Sequence, residues 1–425
     1  MVEARAAEHP VRLVVTDDLH RSRLTVFFRR LLAIPHLLWL SLWSSIAFVI
    51  VVINWFATLA KGRSPEGLHD FLGGYLRYAT QIEAYLLLAA NPYPPFFVGS
   101  AKPYPIDLEI DPAERQSRWK TLFRLVLAIP AFLLAGMLLG GPVSIGFRGI
   151  GLAGSAAFLV WFAVLVRGRA PRGLRDVTAW SIGYGAQTAA YLFLLTDRYP
   201  HTDPAVHLGA LERPEVDERV PRLANDDDLR RSRVTVLLRL PLAFPHLVWL
   251  TGWTVFALLA AIANWFAALA IGRSPRPLAR FLAAYVRYSV HVSAFLYLIG
   301  NPFPGFVGKA GSYPVDLRID PFERQSRWKT LFRLLLAIPA ALVASAAGSV
   351  LAVVTLLAWF VGVALGRIPS GLQRAGAYAI GYSGQLNAYA LVLTDRYPHA
   401  TPAAVCTAAE PANQALDLAP PGAFV

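Results

Sequence analysis

Tyr78, Gln81 and Tyr85 fall at the i, i+3, i+7 spacing that sets side chains on one face of a helix. The stripe returns as Tyr184, Gln187 and Tyr191, as Tyr288, His291 and Phe295, and as Tyr382, Gln385 and Tyr389. Arg77 and Glu83 accompany the first stripe and Arg287 the third. In apolar segments such groups either hydrogen-bond neighbouring helices or line a polar path for a solute. Bonding between helices is the commoner use, and no acid recurs in the stripes to couple an ion. Arg77 and Glu83 face different directions on one helix, so a partner for either lies on another element.

A second set is basic. Arg23 and Arg29, then Arg118, Lys120 and Arg124, then Arg233 and Arg239, then Arg327, Lys329 and Arg333 hold matching positions ahead of an Ala-Ile/Phe-Pro motif. On a helix they form a basic face beside aromatic and aliphatic neighbours. That suits a helix in the headgroup layer, binding anionic lipid or a protein partner. Ser22, Ser117, Ser232 and Ser326 stand where they can cap that helix. These serines have no recurring His–Asp pair and no nucleophile elbow. HExxH, P-loop and GxGxxG motifs are missing, and Cys406 is the sole cysteine. No enzyme, metal site or cofactor is expected.

The elements that carry these residues come from a repeat. Residues 114–131, ERQSRWKTLFRLVLAIPA, return at 323–340 with one change, and looser copies begin at Arg21 and Arg231. The chain of 425 residues is 56% hydrophobic and 16% charged, with a mean hydropathy of +0.46. Residues 36–60 and 340–365 carry no Asp, Glu, Lys or Arg and can cross a hydrocarbon core of about 30 Å. Each unit reads as a short strand, a basic interfacial helix, a proline bend, and two transmembrane helices. The helices are joined by a turn: Gly62-Arg63, Gly168-Arg169, Gly272-Arg273 and Gly366-Arg367, each followed by proline two positions on. Pro35–Trp55, Pro245–Trp265 and Pro339–Trp359 share one spacing, which places each tryptophan at the far interface. Pro130–Trp161 is longer, and a break is expected around Gly140-Gly141-Pro142 and Gly146-Phe147-Arg148-Gly149.

The expected fold is therefore an all-α polytopic membrane protein of four tandem units with about eight spans. The units are 1–97, 98–200, 220–306 and 307–399, with a linker at 201–219 and a disordered tail at 400–425. The four strands pair in a small cytoplasmic β layer. If each unit crosses twice, every basic helix and both termini share one side, and the excess of Lys and Arg there makes that side cytoplasmic. The +13 charge then reflects topology and anionic lipid, and no nucleic acid is expected as a partner.

The strand ending in Ile-Asp, the RQSRW start, AIP, the Gly-Arg-x-Pro turn and a closing TDRYP together resemble a bacterial integral-membrane family built of tandem copies of a domain of unknown function. The resemblance extends to about His399, and the first and third units depart from it by lacking ERQSRW and TDRYP. It implies a place in the cytoplasmic membrane and brings no active site. The expected function is a non-enzymatic envelope organiser or accessory subunit with a lipid- or partner-binding basic collar. The alternative is a transporter or channel with its path between the second helices.

Overall fold

The computed structural model describes residues 9–96, 104–140, 151–208, 219–320 and 323–408. The chain divides into two compact units, Met1–Glu212 and Arg213–Val425, each holding two repeats. The first half runs β1 (Val11–Val15), α1 (Arg23–Leu32), α2 (Ile34–Lys61) and α3 (Glu66–Leu86). It continues with β2 (Ile106–Ile110), α4 (Arg118–Leu122), α5 (Arg124–Leu139), α6 (Leu152–Arg167), α7 (Arg172–Leu192) and α8 (Pro204–Leu208). The second half runs β3 (Arg222–Asn225), α9 (Arg233–Leu237), α10 (Arg239–Ile271) and α11 (Arg276–Leu296). After these come β4 (Val315–Arg318), α12 (Arg327–Leu331), α13 (Arg333–Leu365), α14 (Ser370–Ala390), α15 (Pro402–Val405) and β5 (Cys406–Ala408).

The long helices α2 and α10 are inside-out. Along α2 the buried stripe is Ala47 with the polar His36, Asn54 and Thr58, while Leu38, Leu42, Phe48, Val52 and Phe56 point outward. Phe48 is 72% exposed. A water-soluble helix has the opposite arrangement. Three helical stretches, Arg23–Lys61, Arg239–Ile271 and Arg333–Leu365, are long and apolar enough to cross a membrane. The second helices α3, α7, α11 and α14 are not among them. Each is sandwiched: Leu72 and Leu76 of α3 and Ala186 and Ala190 of α7 meet Ala47 of α2, and also Val11 and Leu108 of the strands.

Four expectations change here. The first is topology. Within the first half, Gln116 N–H donates to Gly62 O at 2.8 Å, and Arg21 N–H donates to Gly168 O at 3.1 Å. The turn of each repeat thus abuts the basic start of the other, so the two repeats run antiparallel. The second half repeats this with Gln325 N–H on Gly272 O at 3.0 Å and Arg231 N–H on Gly366 O at 2.8 Å. Basic starts therefore lie at both ends of each half, and counting Lys and Arg on one shared side loses its premise. Trp55 and Trp265 do not end at a free interface; their indole N–H groups donate to Thr121 O (2.9 Å) and Thr330 O (2.8 Å).

The second is the β layer. The strands pair within each half: β1 with β2 antiparallel (Val11 opposite Ile110), and β4–β3–β5 in a sheet of three. They lie alongside the second helices and not beyond the helix ends, because the strand faces complete the cores that the second helices begin. The third is the bend. Pro130, Pro245 and Pro339 sit inside helices. The chain turns instead at Phe123, Leu238 and Phe332, one residue before a buried arginine that is anchored to the second helix. The fourth is the tail: residues 402–408 form α15 and β5, which add to the sheet. Residues 409–425 lie outside the described residues.

The long helix of the second repeat stops at Leu139 and resumes at Leu152. Of the expected break around Gly140-Gly141-Pro142 and Gly146-Phe147-Arg148-Gly149, only Gly140 is among the described residues, and it meets Gly151 on the far side. Gly151 presses on the Gly140 backbone so closely that a Cβ has no room there.

Candidate functional site

The ten collar cations separate into three geometries. Arg29, Arg124, Arg239 and Arg333 are buried, not lipid-facing, and grip the end of their own second helix. Arg124 Nη1 donates to Tyr191 O (2.8 Å) and Thr196 O (2.7 Å), while Nη2 donates to Gln116 Oε1 (3.0 Å) and Asp197 Oδ1 (2.8 Å). Arg333 repeats this on Tyr389 O, Thr394 O, Gln325 and Asp395. Arg29 holds Tyr85 O and Ala90 O, and Arg239 holds Phe295 O and Gly300 O. Each guanidinium also covers an aromatic ring, 3.9 Å to 4.6 Å from its centre. These arginines satisfy the carbonyls that a helix end leaves open. They also secure a strained turn, since Leu88, Leu194, Leu298 and Val392 have φ of 60° to 64°. Burial pushes all four guanidiniums below the usual arginine range, Arg29 and Arg239 to about 10.

Arg23, Arg118, Arg233 and Arg327 are exposed. Arg118 Nη2 donates to Ala60 O and Arg23 Nη2 to Val166 O, both at 2.9 Å, and Arg327 reaches Ala270 O at 2.9 Å. Each of these three caps the long helix of the other repeat in its half. Lys120 and Lys329 are half-exposed and pair with Asp197 and Asp395 at 3.0 Å.

The stripes divide: Tyr78 and Tyr288 bond to His36 (2.7 Å) and His246 (2.8 Å) of the long helices, while their Gln and His members face the strands. Gln81 Nε2 donates to Asp107 Oδ1 at 3.0 Å, and Arg77 pairs with the same carboxylate. Gln187 Nε2 donates to Val11 O at 3.0 Å and its Oε1 accepts His201 N–H at 2.8 Å. Gln385 repeats this with Pro221 O and His399 N–H. His291 Nε2 meets Asp316 Oδ1 at 2.7 Å, and Arg287 donates to Leu317 O and Ile319 O. Glu83 is partly buried on α3 and has no ion pair among the described residues. Burial pushes the Asp107 carboxyl up, but the bonds from Arg77, the Leu108 N–H and Gln81 outweigh it and hold it below the usual carboxylate range. Apart from Glu83, these residues bind the strands to the helices within each half. Among the described residues no cluster of His, Cys, Asp and Glu could hold a metal.

The turn glycines Gly62, Gly168, Gly272 and Gly366 end the long helices with φ of 68° to 73°. The arginine after each glycine forms an isolated antiparallel bridge with the residue two before the serine that precedes a basic helix: Arg63 with Arg115, Arg273 with Arg324, Arg230 with Arg367, and His20 with Arg169. Of these serines, Ser117 and Ser326 cap their helices through the side chain and Ser22 and Ser232 do not. All the bridged residues are exposed or half-exposed, and no ion pair reaches these arginines among the described residues. The sequence marks the turn arginines as structural and singles out none of Arg115, Arg230 and Arg324. The available signal was their fixed place in the repeat.

A family model for a domain of unknown function, DUF4389, matches residues 23–98, 118–202, 233–307 and 327–401. No curated protein matches the chain, and no solved structure does. Since the matched residues make up most of the chain and coincide with the four repeats, the chain belongs to the DUF4389 family.

Proposed function

We propose that this is a non-enzymatic membrane protein in which each half lies in one face of a bilayer. The outward sides of the long helices are buried among lipid, and the sheet side faces water. The observation that carries this is the inside-out long helix, with Phe48 and Phe56 outward and His36, Asn54 and Thr58 inward. So wide an apolar surface marks a membrane or protein interface. An in-plane setting accounts for the rest of each half. The strands run alongside the helices, and the part-buried Arg12 of β1 pairs with Glu109 and Asp111, whose side chains are exposed; β1 and β2 each pair along one edge only. At hydrocarbon depth such edges and charges are not tolerated against lipid. The half as a layered unit, not the single helix, is the amphipathic object. The exposed cations at both ends of the long helices then lie at headgroup level and attract anionic lipid.

Flotation of the purified chain with vesicles tests this reading. Binding to phosphatidylcholine vesicles, strengthened by phosphatidylglycerol and weakened back toward the neutral level by high salt, is the expected result. A chain that stays off neutral vesicles, or that binds through charge alone, contradicts it. The polar path gains no support, since the residues it needs, Glu83 apart, are occupied in holding the sheets.

A further inference from the structure

We infer that the bridged arginines between the repeats of each half are binding forks for the phosphate group of an anionic phospholipid. The bridges are of the narrow, non-hydrogen-bonded kind. At Arg230–Arg367, Arg231 N–H donates to Gly366 O (2.8 Å) and Ile368 N–H to Leu229 O (2.9 Å), so the bonds flank the pair. Opposed residues of that kind have Cα atoms about 4.5 Å apart and side chains on the same side. Two guanidiniums so placed repel each other, and like charges directly opposite destabilise a strand pair. Neither can shed its proton at any ordinary pH. The chain nevertheless repeats the arrangement at Arg63–Arg115 and Arg273–Arg324, with His20 replacing one arginine at Arg169. No acid pairs with the side chain of any of these arginines among the described residues, although Asp228 Oδ1 accepts the backbone N–H of Arg230 at 3.2 Å.

An anion with two or more oxygens resolves the repulsion, because each guanidinium can donate two parallel N–H bonds to it. The surroundings select phosphate on a lipid. The Arg230–Arg367 pair lines a depression of about 490 Å³ with Ser232, Asn301 and Leu365. Arg231, also in its wall, is spent on Asp227 at 2.6 Å. Leu365 is exposed at the end of the long helix, where an acyl chain would pass. The inference rests on the bilayer placement proposed above for its lipid source, and on the bridges alone for its phosphate chemistry.

The test compares the full chain with R63Q/R115Q/R230Q/R367Q, measuring partition onto phosphatidylcholine vesicles with and without phosphatidylglycerol. A control, R172Q/R276Q, removes exposed charge near the turns without touching a bridge. The preference for anionic vesicles should fall about tenfold or more in the fork variant and far less in the control, with neutral-vesicle binding kept. Equal charge-for-charge losses in both variants would overturn the fork. Millimolar inorganic phosphate added to the wild type distinguishes the sources. An unchanged lipid preference supports a lipid phosphate, whereas abolished preference with a phosphate-induced rise in Tm that the fork variant lacks assigns the site to free phosphate and overturns the lipid source. A chain that fails on neutral vesicles as well contradicts the bilayer placement and not the fork, which the Tm response to phosphate still reads.

Discussion

Arginines that look alike in the sequence have opposite duties in the fold. Arg124 is 1% exposed and spends its guanidinium on two carbonyls, an amide and a carboxylate, whereas Arg118 reaches one carbonyl from the surface. Arg124→Ala leaves Tyr191 O, Thr196 O and Asp197 without their donor and should cost about 3 kcal/mol or more. Arg118→Ala should cost less than about 1 kcal/mol. Chemical denaturation of the two variants checks the contrast, and equal costs would show the clamp to be unimportant. Their shared repeat position was legible, but their burial was not, because burial depends on which residues the second helix ends against.

A second residue-scale consequence concerns pH. His9 and His207 are buried in the first half, and burial holds both imidazoles near a pKa of about 4 instead of 6.5. Above pH 6.5 neither folded nor unfolded chain carries the proton. Between about 6.5 and 4 the unfolded chain takes it up and the folded chain does not, so stability is lost as pH falls. The loss is roughly 3 kcal/mol for each group. Hydrogen exchange followed by peptide should show the first half loosening in that window, and His207→Gln should remove part of the effect. A pH-independent first half would contradict it.

At the scale of elements, the long helix was the most legible part, because a run free of charge admits few other readings. Its partner is less legible, since none of the second helices is among the stretches long and apolar enough to cross a membrane. The second helices contain enough Leu, Ala and Tyr to pass as spans, yet Arg77, Gln81 and Gln187 bond to strands that the sequence placed elsewhere, and Gln385 to Pro221 just ahead of one. The alternation in residues 106–110 and 315–318 identified strands but not their depth, since period-two patterning is silent about what covers each face. If the outward face of α2 contacts lipid, Phe48→Asp with Val52→Asp should lower vesicle partition by about a hundredfold or more. Both side chains are exposed, so the fold itself should survive, as near-unchanged circular dichroism would show. Normal partition by this variant would remove α2 from the bilayer.

At the scale of the molecule, the repeat was plain and its direction was not. Four copies of one unit suggested four parallel hairpins; hydrogen bonds from Gln116 to Gly62 and from Arg21 to Gly168 turn each copy against the next within a half. Antiparallel pairing makes each turn and each basic start neighbours, which creates the arginine bridges and sets sheet, second helices and apolar helices in successive layers. Nothing local in the sequence encodes that relation, because it is formed between segments far apart in the chain.

The central claim is that the long helices lie in one face of the membrane. With Cys406→Ser as background, single cysteines at Arg30 and at Lys61 mark opposite ends of one helical stretch. The α2 part alone, at 28 residues, is about 40 Å long. A membrane-impermeant maleimide applied to sealed vesicles of one orientation should label both positions from the same side. Labelling of one position only from inside and the other only from outside would show that the helix crosses, and would contradict the in-plane account.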